Sequence, residues 1–123
     1  IRYEMGHPSF PSVFTLGAAV ELFQQTSLRD VSERIISLSQ RLRAGCAKQG
    51  WVIASDTEQG QGTESISGIT LVRTAAAASI AARMQKDDIW TSARAGGLRV
   101  SVHAYNKESE VDRFLEALGA SNL

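Results

Sequence analysis

A short stretch near the end of the chain, 98–106 (LRVSVHAYN), carries the residue types best suited to chemistry. Polar and apolar residues alternate along it, as in a strand with one buried face, and Arg99, Ser101 and His103 share the polar side. The planar guanidinium of an arginine can pair with both oxygens of a carboxylate, which a lysine cannot do. The spacing alone leaves two interpretations of Arg99 open, a solvated charge or a carboxylate-binding group.

The spacing of the histidines and the cysteine does not indicate a catalytic or metal site. The chain has two histidines, His7 and His103, and no cysteine or acid follows either one at the spacing of a zinc site, so we expect no metal site. We interpret His103 as a packing residue that makes one hydrogen bond. Cys46 falls four residues after Leu42, on the apolar stripe of a predicted helix, so we expect a buried structural thiol.

The composition of the chain argues against several classes of function. The 123 residues include thirteen basic and thirteen acidic side chains without a strong local excess, which argues against nucleic acid and anionic membranes as partners. A single cysteine favours a reducing compartment, and we expect the cytoplasm. No apolar run approaches the roughly 20 residues of a membrane span. Because the chain begins at Ile1, we expect it to be part of a longer polypeptide.

Hydrophobic periodicity and turn residues predict the elements that position these side chains. Residues 1–11, with two prolines, are predicted to form an extended interface loop. Helices are predicted over 12–26, 27–49, 75–86 and 107–118, and strands over 51–54, 67–73, 89–94 and 98–104. Residues 95–97 (AGG) supply a hairpin turn. The predicted fold is α+β, a mostly antiparallel four-stranded sheet with helices packed on one face, in a single domain over 1–123 with its sandwich in 12–123.

Two motifs resemble a known family. Residues 2–8 (RYEMGHP) and 98–106, followed by Glu110, Val111 and Asp112, resemble the C-terminal domain of class V aminotransferases. These are pyridoxal-phosphate enzymes related to cysteine desulfurases, selenocysteine lyases and isopenicillin N epimerases. The resemblance covers nearly the whole chain and implies the small C-terminal domain of an aspartate-aminotransferase-like fold.

The resemblance also implies roles for particular residues. Arg99 takes the position of the arginine that binds the α-carboxylate of the amino-acid substrate. Gly6 and His7 take the positions of a glycine and a threonine that reach the phosphate of pyridoxal 5'-phosphate in the neighbouring subunit of a homodimer. An imidazole can also donate to phosphate. Tyr105 and Asn106 match the motif as well, and we assign them, with His103, to strand-end and cap structure.

The departures from the family limit the prediction. The turn 94–97 (RAGG) has no cysteine where desulfurases carry their persulfide cysteine, which argues against that reaction. The family's cofactor-binding lysine belongs to an N-terminal domain that this chain lacks, and we interpret Lys48, Lys86 and Lys107 as solvated charges. We therefore expect a missing N-terminal cofactor-binding domain as partner, and no activity from this chain alone.

A second hypothesis belongs to another class. The chain could be a free-standing α+β domain that binds a small ligand or a protein through the open sheet face, without a cofactor. The sequence leaves open which amino acid would be the substrate. It also leaves open transamination, lyase chemistry and epimerisation as reactions of the complete enzyme.

Overall fold

The computed structural model of the chain describes residues 9–54 and 66–120. These residues fall into two compact units, Ile1–Ser32 and Glu33–Leu123. The helices and strands, in chain order, are α1 (Phe10–Gln25), α2 (Leu28–Lys48), β1 (Ile69–Arg73), α3 (Ala77–Gln85), β2 (Ser92–Arg94), β3 (Gly97–Ser101) and α4 (Glu108–Gly119).

The first unit contains α1 and the beginning of α2. Helix α1 starts two residues before the predicted position, and Pro11 lies in its first turn, where the missing N–H of proline costs no helical hydrogen bond. The helix ends where the N–H of Thr26 donates to the carbonyl of Phe23. None of the side chains of α1 is buried, although the helix is largely apolar.

The second unit contains a three-stranded antiparallel sheet in the order β1-β3-β2. Strand β3 is central and joins β2 through the two-residue turn Ala95–Gly96. Both turn residues have positive φ, 50° and 72°, which is the geometry of a tight hairpin whose twist matches its strands. The predicted hairpin and the antiparallel α+β class are therefore confirmed.

The prediction of a fourth strand over 51–54 is wrong. Within the described residues this segment makes one bridge, Ile53 with Val72, and the Val52 carbonyl accepts the Arg73 N–H at 2.9 Å. Gly50, with φ of 81°, turns the chain out of α2 immediately before it. Ile53 and Ala54 of this run are buried, whereas Val52 is exposed, and the segment forms no ladder within the described residues.

One face of the sheet is covered by helices. Residues that alternate along β1 and β3 are buried with side chains of α2, α3 and α4 in one core. The core includes Leu38, Leu42, Cys46, Val72, Ile80, Met84, Leu98, Val100, Val111, Phe114 and Leu118. The residues between them on the strands point to the other face, which we call the open face: Ile69, Leu71 and Arg73 of β1, Ser92 and Arg94 of β2, and Gly97, Arg99 and Ser101 of β3.

Polar contacts fix α2 against the rest of the second unit. The guanidinium of Arg41 donates twice to the carboxylate of Asp112 on α4, through two hydrogen bonds of 2.8 Å. The buried Ser39 hydroxyl donates to the Ser67 carbonyl at 2.7 Å, just before β1. Among residues 9–54 and 66–120, no helix has the length and apolar composition needed to cross a membrane.

Candidate functional site

Arg99 lies at the centre of the open face. Its neighbours in sequence, Leu98 and Val100, are buried in the core on the opposite face. Across the two ladders it is paired with Leu71 on β1 and with Ser92 on β2. A side chain on a central strand that is hydrogen-bonded on both sides is held in place by a rigid backbone, which suits a group that must orient a ligand.

The guanidinium of Arg99 has unused hydrogen-bonding capacity. Its Nε is buried and has no hydrogen-bond partner among the residues that the structure describes. A buried donor without a partner costs about 1–3 kcal/mol, and most such donors in folded proteins are paired. The Nε edge of an arginine is also one of the edges that can bind both oxygens of a carboxylate.

Two further arginines flank this position on the same face. Arg73 on β1 and Arg94 on β2 are both register partners of Gly97, which lies two residues before Arg99 on β3. The three strands carry no acidic residue. No pattern within one segment of the sequence predicts this cluster. The two-residue turn gives a local signal for pairing Arg94 with Gly97, but Arg73 joins only through a ladder between distant segments.

His103, Tyr105 and Asn106 do not lie on the open face. Strand β3 ends at Ser101, so the predicted strand to Ala104 is too long, and His103 does not share a strand face with Arg99. The side chain of Asn106 accepts the His103 N–H at 2.8 Å, and the Asn106 N–H donates to the His103 carbonyl at 3.0 Å. This local turn takes the backbone groups that a longer ladder would need.

These residues instead build the start of α4. The rings of His103 and Tyr105 stack at 4.5 Å between their centroids. The N-cap is Lys107 rather than the predicted Asn106. The carboxylate of Glu110 accepts the Lys107 N–H at 2.7 Å and a hydrogen bond from Asn106, and these bonds lower the pKa of Glu110.

The other candidates occupy structural positions. Cys46 is fully buried, and burial raises the pKa of its thiol to about 11. Lys48, Lys86 and Lys107 are exposed. Within the described part of the chain, no three His, Cys, Asp or Glu side chains are placed to hold a metal ion. Gly6 and His7 lie outside the described residues.

A cavity of about 340 Å³ opens beside the end of β3. Its walls include Ser101 and Val102, the core residue Phe114, and the exposed aromatic side chains of Trp90 and Tyr105. The guanidinium of Arg113, which also lines it, donates to the Asp87 carbonyl. Ser101 of the open face lines the cavity, whereas Arg99 is not among its described lining residues.

The comparisons with known proteins identify the fold. No protein-family model and no curated protein matches the sequence. Among solved structures, the chain is similar to an apo cysteine desulfurase from Thermococcus onnurineus NA1, with 18% identity and a TM-score of 0.84 over 99% of this chain and 34% of that one. It is also similar to an 8-amino-7-oxononanoate synthase from Francisella tularensis, with 17% identity and a TM-score of 0.66 over 85% of this chain and 31% of that one. The chain thus spans about a third of each enzyme, and at these identities the similarity establishes the fold alone.

Proposed function

We propose that this chain is the C-terminal domain of a class V aminotransferase-like enzyme that uses pyridoxal 5'-phosphate, and that Arg99 binds the α-carboxylate of its amino-acid substrate. The motif that contains Arg99 resembles that family, and a cysteine desulfurase is among the structures that share the fold. The observation that carries the role of Arg99 is its buried, unpartnered Nε on the open face.

The physical argument rests on what a carboxylate would supply. An α-carboxylate that pairs with the Nε edge satisfies the unpartnered donor and neutralises the guanidinium at the same time. Because Nε is covered, pairing of this edge with a carboxylate requires the side chain to turn outward. The arginine then fixes the orientation of the amino acid, while the cofactor supplies the electron sink.

The cofactor site of this proposal requires other parts of the protein. The exposed Lys48, Lys86 and Lys107 are poor candidates for a lysine that holds a cofactor in a closed pocket. A missing N-terminal domain supplies that lysine, and Gly6 and His7 reach the cofactor phosphate of the partner subunit in a homodimer. The share of about a third of each similar structure supports a chain that is one part of such an enzyme and is inactive alone.

The test uses the full-length protein and the variants Arg99→Lys and Arg99→Gln. The affinity of an amino acid is compared with that of the amine that lacks its carboxylate. A charge-assisted pair worth about 1.5–3 kcal/mol gives the amino acid roughly a ten- to hundredfold advantage, which both variants should reduce. Lys86→Gln, which removes an exposed charge from the end of α3, is the control. An unchanged preference in both Arg99 variants would refute the assignment.

The cavity favours a second candidate function, a binding domain that needs no cofactor. Exposed Trp90 and Tyr105 beside an apolar wall are typical of a small-ligand or peptide site. The two functions differ in their response to pyridoxal phosphate. A full-length protein that gains a defined visible absorbance at one cofactor per subunit supports the enzyme, whereas a protein with only nonspecific lysine adducts supports the binding domain.

A further inference from the structure

The open face concentrates positive charge around the carboxylate-binding position. Arg73 and Arg94 sit on either side of Gly97, and each is therefore the diagonal cross-strand neighbour of Arg99. Diagonal neighbours are about 7–8 Å apart, a distance that long side chains can bridge. The three strands that carry these arginines contain no acidic residue.

Gly97 keeps the space between the arginines free of a second layer of side chains. A Cβ at this glycine would lie 3.2 Å from Cδ1 of Leu71, so the Leu71 side chain already covers the backbone there. Beside the Leu71 side chain, Arg94 is exposed and Arg99 is half-buried. Like charges at close range repel each other, and this repulsion is relieved when an anion binds between them.

We infer that the substrate carries a second anionic group and that Arg94 binds it while Arg99 holds the α-carboxylate. The substrate class is an amino acid with an acidic side chain: a carboxylate, or a sulfinate or phosphate of similar reach. This inference rests on the proposed role of Arg99 and adds the substrate class.

The size of the patch favours a small molecule over an acidic protein segment. The strands that carry it have five, three and five residues, and the arginines cluster around one glycine rather than along a groove. A compact group of cations fits two acidic groups a few bonds apart. An acidic peptide would need positive charge repeated along its length.

The experiment compares ligands of nearly identical shape that differ in side-chain charge. Glutamate and glutamine are titrated calorimetrically into the full-length protein without added cofactor, and O-phosphoserine with serine forms a second pair. The wild-type protein should bind the charged member roughly two- to fivefold more tightly, as expected for a partly solvated ion pair. Rising salt should reduce this preference.

Three variants separate the inference from the proposed function. Arg94→Gln should bring the affinity ratio of each pair close to one. Arg99→Gln should weaken both members of each pair, and Lys86→Gln, the matched loss of one positive charge, should leave the ratios unchanged. Thermal melts confirm that each variant is folded.

The outcomes are distinct. Equal binding of glutamate and glutamine by the wild type, or an unchanged ratio in Arg94→Gln, overturns the second anionic group even if Arg99 proves essential. If Arg94→Gln loses the preference for the charged member only in the phosphoserine pair, the second anionic group is a phosphate. Tight binding of polyglutamate without binding of free glutamate would overturn the small-molecule inference in favour of an acidic protein partner. Unchanged binding in Arg99→Gln would refute the proposed function itself.

Discussion

Substitution of Gly97 by alanine should destabilise the sheet that carries Arg99. Gly97 is buried at the first position of β3, and a Cβ there would lie 2.5 Å from the carbonyl oxygen of Val72. Real Cβ atoms do not approach a backbone oxygen so closely. The ladder between β1 and β3 must therefore widen at this end, one residue from Leu98 and two from Arg99.

The size of the effect follows from two opposing contributions. Overpacking of a well-packed position costs about 1–3 kcal/mol, and the upper part of this range applies because the obstacle is backbone. Replacing glycine by alanine inside a strand recovers roughly 0.5–1 kcal/mol of conformational entropy. The net loss in the free energy of unfolding should be about 1–2 kcal/mol, which corresponds to a decrease of roughly 4–8 °C in Tm.

Chemical denaturation and thermal melting measure this loss, with Gly17→Ala as the control. Nothing lies within 4 Å of the Cβ position at Gly17, in the middle of α1, so that variant should be slightly more stable than the wild type. Because the main clash is with the Val72 carbonyl, adding Leu71→Ala should not restore the stability of Gly97→Ala. Full stability in Gly97→Ala, or complete rescue by Leu71→Ala, would refute the backbone argument.

Two further predictions concern titratable groups of the second unit. The hydrogen bonds from Arg41 lower the pKa of Asp112, so this carboxylate stabilises the fold above its unfolded pKa of about 3.9, and the contribution disappears as the pH falls through the lower folded value. Asp112→Asn should therefore be less stable than the wild type at pH 7 in urea unfolding, with a difference that shrinks below about pH 4; a constant difference would contradict this. Burial raises the pKa of Cys46 to about 11, so its thiol should resist a disulfide reagent at pH 8 until urea is added, and rapid labelling of the folded chain would contradict its placement.

The parts of the fold with strong local signals were predictable from the sequence. The glycines after Arg94 require a tight turn, and the alternation from Leu98 to Ser101 matches the buried and exposed faces of β3. The apolar stripe of α2 contains Leu38, Leu42 and Cys46, which are all in the core. In each case the local conformation and the burial pattern agree, so tertiary contacts had nothing to override.

The errors arose where local and non-local interactions compete. An apolar run over 51–54 looks like a strand, but it follows directly on the turn at Gly50 and makes one bridge within the described residues. The alternation of 98–104 continues past the end of β3. The strand nevertheless ends at Ser101, because the side chain of Asn106 accepts the His103 N–H that a longer strand would use. The charge cluster around Gly97 depends on the register between β1 and β3, which no periodicity within either strand determines.

The position of Arg99 on the open face depends on the packing of its neighbours in the core on the other face of the sheet. Leu98 and Val100 are held in the core by side chains from the helices, and the backbone that they fix determines where the guanidinium between them begins. The ladders on both sides then prevent β3 from shifting by one residue, which would exchange its buried and open faces. Arg99 therefore needs no polar residue beneath it to hold its backbone position, because moving β3 would require unpacking the core. Because of this coupling, we expect Gly97→Ala to weaken any ligand binding by Arg99 together with stability, whereas Arg94→Gln should change ligand preference alone.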